Sequence, residues 1–138
     1  MQGAKIIKLP KILDDRGNLS LFQNQTHIPF DIKRTYWIYD VPGGAIRGSH
    51  AFINSCEFIV ALSGSFTVVL HDGAIESTYH LNRSYYGLYV PNKLWRHMEN
   101  FATNSVALIV SNTLFDETDY VRDKQEFLKF RRDAKNGI

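Results

Sequence analysis

"GAIRGSHAFINSCEFIVALSG", residues 44–64, is the stretch on which the fold reading turns. Five residues separate Gly44 from His50, and six separate Glu57 from Gly64. Within it, "RGSHAF" (47–52) sets Arg47, His50 and Phe52 along an extended segment whose side chains alternate between two faces. His50 and Glu57 have opposite parity on a continuous strand. Bringing both to one face therefore requires a bend between them.

Outward from this stretch, strand signals dominate. "AKIIKL" opens the chain, and "DDRGNLSLF" reads as a turn leading into a second strand. In "IKRTYWIYDV" (32–41), Lys33, Thr35 and Trp37 fall on one face and Arg34, Tyr36 and Ile38 on the other. "PGGAIRG" makes a Gly-rich bend before "SHAF". "CEFIVALSG", "SFTVVLHDG" and "AIESTYHL" follow as three short strands, with Asp72-Gly73 suited to a type I′ hairpin turn. "YYGLYVP", "LWRHMENF" and "SVALIVSN" supply three more. Short strands at regular spacing predict an all-β sandwich or barrel. The end differs: "DETDYVRDKQEFLKFRRDAKNGI" reads as partly helical, with Asp119 as N-cap and Tyr120, Phe127 and Phe130 docking on the barrel. With no repeat and no linker, residues 1–138 are expected to form a single domain, the barrel spanning about 5–115 and a docking segment 116–138.

Composition narrows the function. The chain is 44% hydrophobic and 22% charged with a formal net charge of +2, ordinary for a globular protein. Basic residues are scattered outside "RR" (131–132), so nucleic acid is not an expected partner. No apolar run approaches a membrane span, the longest being "VALIV" (106–110). "MQGAKIIKLPKI" lacks a secretory h-region, and cytoplasmic residence is the expectation. The lone Cys56 reads as a small core or interface residue, and His27, His71 and His80 as surface residues. "GG" at 43–44 has no Lys-Ser/Thr partner for a phosphate loop, and no Cys pair or Ser-centred elbow is present.

The run Gly44, His50, Glu57, Gly64 resembles the first motif of the cupin superfamily, and "GLYVPNKLWRH" resembles the second. The resemblance implies a double-stranded β-helix, a jelly-roll barrel. In metal-binding cupins two histidines and a glutamate of the first motif join a histidine of the second. Here Phe52 stands in one ligand position, which leaves His50, Glu57 and His97; no metal and no cofactor are expected. "KRTYWIYDVPGGAIRGSHAF", "GLYVPNKLWRHM" and "VALIVSNTLFDETDYVRDKQEFLKF" narrow the resemblance to the nucleotide-sugar 3,4-ketoisomerases, over about residues 5–130. That likeness implies a dTDP-4-keto-6-deoxyhexose substrate, metal independence and a homodimer with exchanged N-terminal strands.

Moving a carbonyl from C4 to C3 requires removing the C3 proton, stabilising an enediolate and delivering a proton to C4. Neutral histidine suits the first step because its reference pKa lies near operating pH. His50 is the expected base, and Tyr36 is expected to bond a sugar oxygen or relay a proton. Arg34, Arg47, Phe52, Trp95 and His97 are the expected substrate-binding residues. Trp95 and His97 share a face of their strand with Arg96 opposite; which face looks inward is not legible. The ketoisomerases read "RGxHAH" where this chain reads "RGSHAF". Phe52 stacks on a sugar face and carries no proton. Three outcomes stay open: His50 handling both transfers, a changed outcome such as epimerisation beside the carbonyl, or binding without turnover.

Overall fold

The computed structural model describes residues 1–135. Its strands are β1 (Lys5–Lys8), β2 (Lys11–Ile12), β3 (Leu19–Ser20), β4 (Arg34–Ile38), β5 (Arg47–Phe52) and β6 (Glu57–Ser63). They continue with β7 (Phe66–His71), β8 (Glu76–Leu81), β9 (Tyr86–Val90), β10 (Trp95–Glu99), β11 (Val106–Ser111) and β12 (Tyr120–Val121), and α1 (Lys124–Lys135) follows. One five-stranded sheet runs β1-β9-β6-β11-β4, a second runs β12-β5-β10-β7-β8, and β2 and β3 form a separate hairpin. All ladders between these strands are antiparallel. This is the all-β cupin architecture with one short C-terminal helix.

Alternation explains the packing. Ile59 and Ala61 of β6 join Leu88, Val90, Ala107 and Ile109 between the sheets, against Val68, Leu70 and Met98 of the second sheet. The intervening Phe58 and Val60 point to the outer face, where Leu9, Ile28 and Phe30 of the N-terminal segment cover them. "CEFIVALSG" is apolar throughout because both of its faces are buried. Cys56 packs against the same outer cluster. The second sheet is covered differently: Ala51 and Trp95 lie under Phe127 of α1, which is fully buried. At the far end of β6, Gly64 turns the chain at φ +68°, and a Cβ there would lie 2.8 Å from the Ser105 Cα. Only a residue without a side chain fits.

Two local expectations are corrected. The β7–β8 connection is a four-residue loop, Asp72 to Ile75, and not a type I′ turn. Gly73 alone among these residues takes positive φ. The Asp72 carboxylate accepts from the Ala74 and Ile75 amides at 2.8 Å each, so side-chain capping replaces the second left-handed residue. Asp119 does not cap a helix. Asp116 caps a single 3₁₀ turn, Glu117–Asp119, and Asp123 caps α1 through the Gln125 and Glu126 amides. Phe127 docks as expected, and Tyr120 docks as part of β12. Of the expected docking segment, residues 136–138 lie outside the described residues. No described helix is long and apolar enough to cross a membrane.

Candidate active site

Three registers bring the site together. Across the first sheet, Arg34 of β4 lies opposite Ser111 of β11, which lies opposite Glu57 of β6. Tyr36 lies opposite the core residue Ile109, so the Arg34–Tyr36–Ile38 face looks into the barrel. In the second sheet, His50 of β5 lies opposite Arg96 of β10. One end of the interior is thus apolar. The other carries Arg34, Tyr36, His50, Glu57 and Arg96.

Glu57 and His50 reach this end because the chain changes sheets between them. The bend after Phe52 is held by Asp119, which is buried and accepts from the amides of Asn54 (2.7 Å) and Ser55 (3.1 Å) and from the Ser55 hydroxyl. The bend resets the parity that separates the two on a continuous strand. A second irregularity lies within β5. Its register shifts between the His50–Arg96 and Arg47–Met98 pairs, which gives β5 an extra residue there. Gly48 sits in this bulge at φ +70°, and a Cβ would come 2.6 Å from Arg96 Nη1. Beyond the bulge Arg47 lies opposite Met98 and is exposed.

Glu57 is not free for a metal. Arg96, fully buried, sets its Nε 2.8 Å from Glu57 Oε1 and donates from Nη2 to the Tyr36 hydroxyl at 2.9 Å. The Tyr36 hydroxyl in turn donates to Glu57 Oε2. Burial disfavours the Arg96 charge, but Glu57 and Tyr36 outweigh it and keep the guanidinium ionised. Burial also pushes the Tyr36 phenol far up, with Arg96 opposing and Glu57 reinforcing, so it stays protonated.

His50 lies among these groups with its Nε2 buried and unpartnered. Its ring meets Phe52 edge to face at 4.8 Å and Tyr120 at 4.9 Å, and Phe52 meets Tyr120 at 4.7 Å. Burial first, then the charges of Arg96, Arg122 and Arg34, pushes the imidazole down to about 2. It is a neutral base at any physiological pH. The Arg34 guanidinium stands among the rings of Tyr36 (5.6 Å), Phe52 (5.8 Å) and Phe115 (5.8 Å), with Nε and Nη2 unpartnered. Buried donors without acceptors cost free energy unless a ligand supplies the acceptors. This end of the barrel is built to receive an oxygen-rich anion beside a neutral base.

Residues 2–132 match the family described as "FdtA: WxcM-like, C-terminal". The chain belongs to it. The TDP-4-oxo-6-deoxy-alpha-D-glucose-3,4-oxoisomerase of Aneurinibacillus thermoaerophilus is 38% identical over 126 residues, 91% of each chain. A 3,4-ketoisomerase from Helicobacter canadensis superposes with a TM-score of 0.94 at 34% identity, covering 96% of this chain and 100% of its own. QdtA, a sugar 3,4-ketoisomerase from Thermoanaerobacterium thermosaccharolyticum solved with TDP, also gives 0.94, at 30% identity over 97% and 98%.

Of the residues expected to form this family member's site, Arg34, Tyr36, His50 and Phe52 come together, whereas Arg47 is exposed beyond the bulge and is hydrogen-bonded to none of them. Trp95 and His97 do not join them. Both project from β10 opposite Arg96: Trp95 packs 5.7 Å from Phe127 under α1, and His97 Nε2 lies 3.5 Å from Glu99. The inward face is the one carrying Arg96 and Met98. His97 therefore does not complete a ligand set with His50 and Glu57, and among the described residues no group of three or more His, Cys, Asp or Glu is placed to hold a metal ion. Sequence reasoning missed Arg96, Tyr120 and Arg122, and it took Glu57 for a potential ligand. An apolar residue on each side of β10 hid the inward face, and the contact of β12 with β5 has no local signal.

Two predictions follow from the buried charges. Glu57→Ala leaves Arg96 unpaired in the interior and is expected to cost about 3–5 kcal/mol, whereas Glu57→Leu with Arg96→Met recovers most of that loss in urea unfolding. The His50 pKa is lower in the folded chain than the unfolded value of about 6.5, so only the unfolded state takes up the proton below that pH. Stability contributed by a neutral His50 is complete above about pH 6.5 and falls by at most about 1.4 kcal/mol per unit below it. Urea midpoints at pH 7 and 5 should therefore fall less for His50→Asn than for the unsubstituted chain.

Proposed function

We propose that the protein is a nucleotide-sugar 3,4-ketoisomerase, converting a dTDP-4-keto-6-deoxyhexose to its 3-keto isomer with His50 as base. The observation that carries the proposal is the neutral, buried imidazole with an unpartnered Nε2, set among guanidinium groups in a chain of this family. Binding a sugar beside it puts the C3 proton within reach of Nε2. As that proton leaves, charge builds on the C4 oxygen. Arg34 and Arg96 supply a positive field in a low-dielectric setting and lower the barrier to the enediolate. Burial depresses the free imidazole most, and the further share from Arg96, Arg122 and Arg34 is offset once the ligand's own negative charge enters, which raises the basicity of His50 in the complex. Tyr36, tied to Glu57 and Arg96, acts in binding the sugar oxygens more readily than in giving up its proton. In this reading the exposed Arg47 meets the diphosphate and Phe52 an apolar sugar face.

No part of this scheme needs a metal or a cofactor. We read the whole chain as one cupin domain, resident in the cytoplasm and serving deoxysugar biosynthesis on the way to polysaccharide. We also propose that it is a homodimer with exchanged N-terminal strands. The β2–β3 hairpin supports this: Ile12, Leu13 and Leu19 are 55%, 70% and 54% exposed, a cluster that a second copy would cover. In the isolated chain β1 closes on its own β9, and exchange preserves the same ladder between copies.

Proton NMR with dTDP-4-keto-6-deoxyglucose in heavy water tests the activity. Loss of the C3 signal with growth of a 3-keto species is expected. His50→Asn should bind the sugar nucleotide yet lose turnover by about 100-fold or more. Binding without any spectral change in the unsubstituted protein would mark the site as a binding pocket only, and exchange at C3 without the 3-keto product would mark an altered outcome. Light scattering should give twice the chain mass of 15.9 kDa; the chain mass itself would exclude the dimer.

A further inference from the structure

Isomerisation needs a second proton transfer, at C4, and the groups named so far leave it unassigned. Phe52 has no proton to give. The Tyr36 proton is held by the Glu57 carboxylate, and its oxygen accepts from Arg96. Tyr120 remains. It is half-buried and lies opposite Phe52 in the β12–β5 ladder, and its ring packs against both His50 and Phe52, the three rings in mutual contact. The Tyr120 ring lies 4.9 Å from the His50 imidazole, which sets the phenol beside the base. Among the described residues no side chain or backbone group hydrogen-bonds it. The Arg122 guanidinium lies 4.3 Å from its ring centroid, itself held by Glu117 at 2.8 and 3.2 Å.

We propose that Tyr120 is the catalytic acid that protonates C4, an assignment that rests on the ketoisomerase reading. His50 Nε2 takes the proton from C3, the C3–H electron pair becomes the C3=C4 double bond, and the C4 carbonyl pair moves onto O4. The O3 hydroxyl proton passes to O4. The O3 electron pair then forms the C3 carbonyl, and the pair of the C3=C4 bond takes the phenolic proton of Tyr120 at C4. A phenolate at Tyr120 and an imidazolium at His50 remain side by side. Proton transfer from the imidazolium to the phenolate restores both. The two half-reactions thereby fall to different residues, and Phe52 packs against both rings and holds them in place.

The test separates exchange from conversion, again by NMR with dTDP-4-keto-6-deoxyglucose in heavy water. Tyr120→Phe is expected to keep deuterium exchange at C3 of the recovered substrate and to bind the sugar nucleotide within about threefold, while forming 3-keto product at least about 100-fold more slowly. A smaller loss overturns the assignment. So does joint loss of exchange and conversion, which would mean that Tyr120 only positions His50. If the unsubstituted protein shows neither exchange nor product, the ketoisomerase reading fails and this one with it. If Tyr120→Phe does not fold, 3-fluorotyrosine introduced at position 120 retains the hydroxyl and acidifies it. The alkaline limb of kcat must then move to lower pH, and an unmoved limb overturns the proposal.

Discussion

The arrangement of the polar end of the barrel depends on a buried ion pair between its two sheets. Glu57 belongs to β6 in one sheet and Arg96 to β10 in the other, and Tyr36 of β4 bridges them. Taking two charges out of water costs several kcal/mol each, and their attraction offsets this only with good geometry and further hydrogen bonds. A hydrophobic pair of the same size would hold the sheets together at least as well. The charged version differs in placing a rigid, permanently ionised guanidinium inside a barrel and in locking the neighbouring phenol.

His50 inherits its character from that pair. Arg96 is its partner across the β5–β10 ladder, so the imidazole stays neutral first because it is buried away from water and then because a cation stands beside it. The bulge at Gly48 makes this proximity possible, since any side chain there would meet the Arg96 guanidinium. Asp119 then fixes the bend that follows, and β12 leaves directly from Asp119 to lay Tyr120 on His50. A short path of backbone links the carboxylate that shapes the bend to the ring that closes the site.

Much of the fold was legible. The alternation in "IKRTYWIYDV" identified the face carrying Arg34 and Tyr36, and the burial along β4 follows it residue by residue. The spacing of Gly44, His50, Glu57 and Gly64 marked the stretch that builds both halves of the site. Errors arose where side chains replaced backbone devices. Asp72 capped a four-residue loop that Asp-Gly alone reads as a tight turn, and Asp119 spent its carboxylate on a distant bend, leaving Asp116 and Asp123 as caps.

What the sequence by itself determined is the class of architecture and the presence of Arg34 and Tyr36 on one face, because strand periodicity and residue chemistry are local properties. Only the tertiary structure decided the faces of β10. Trp95 is apolar yet buried outside the barrel beneath α1, while Arg96 is charged yet buried inside it. Hydrophobicity points the wrong way there, since burial against a helix rewards the indole and pairing with Glu57 across the barrel compensates the guanidinium. The approach of Tyr120 to His50 joins residues 70 positions apart, and no pattern along the chain records it.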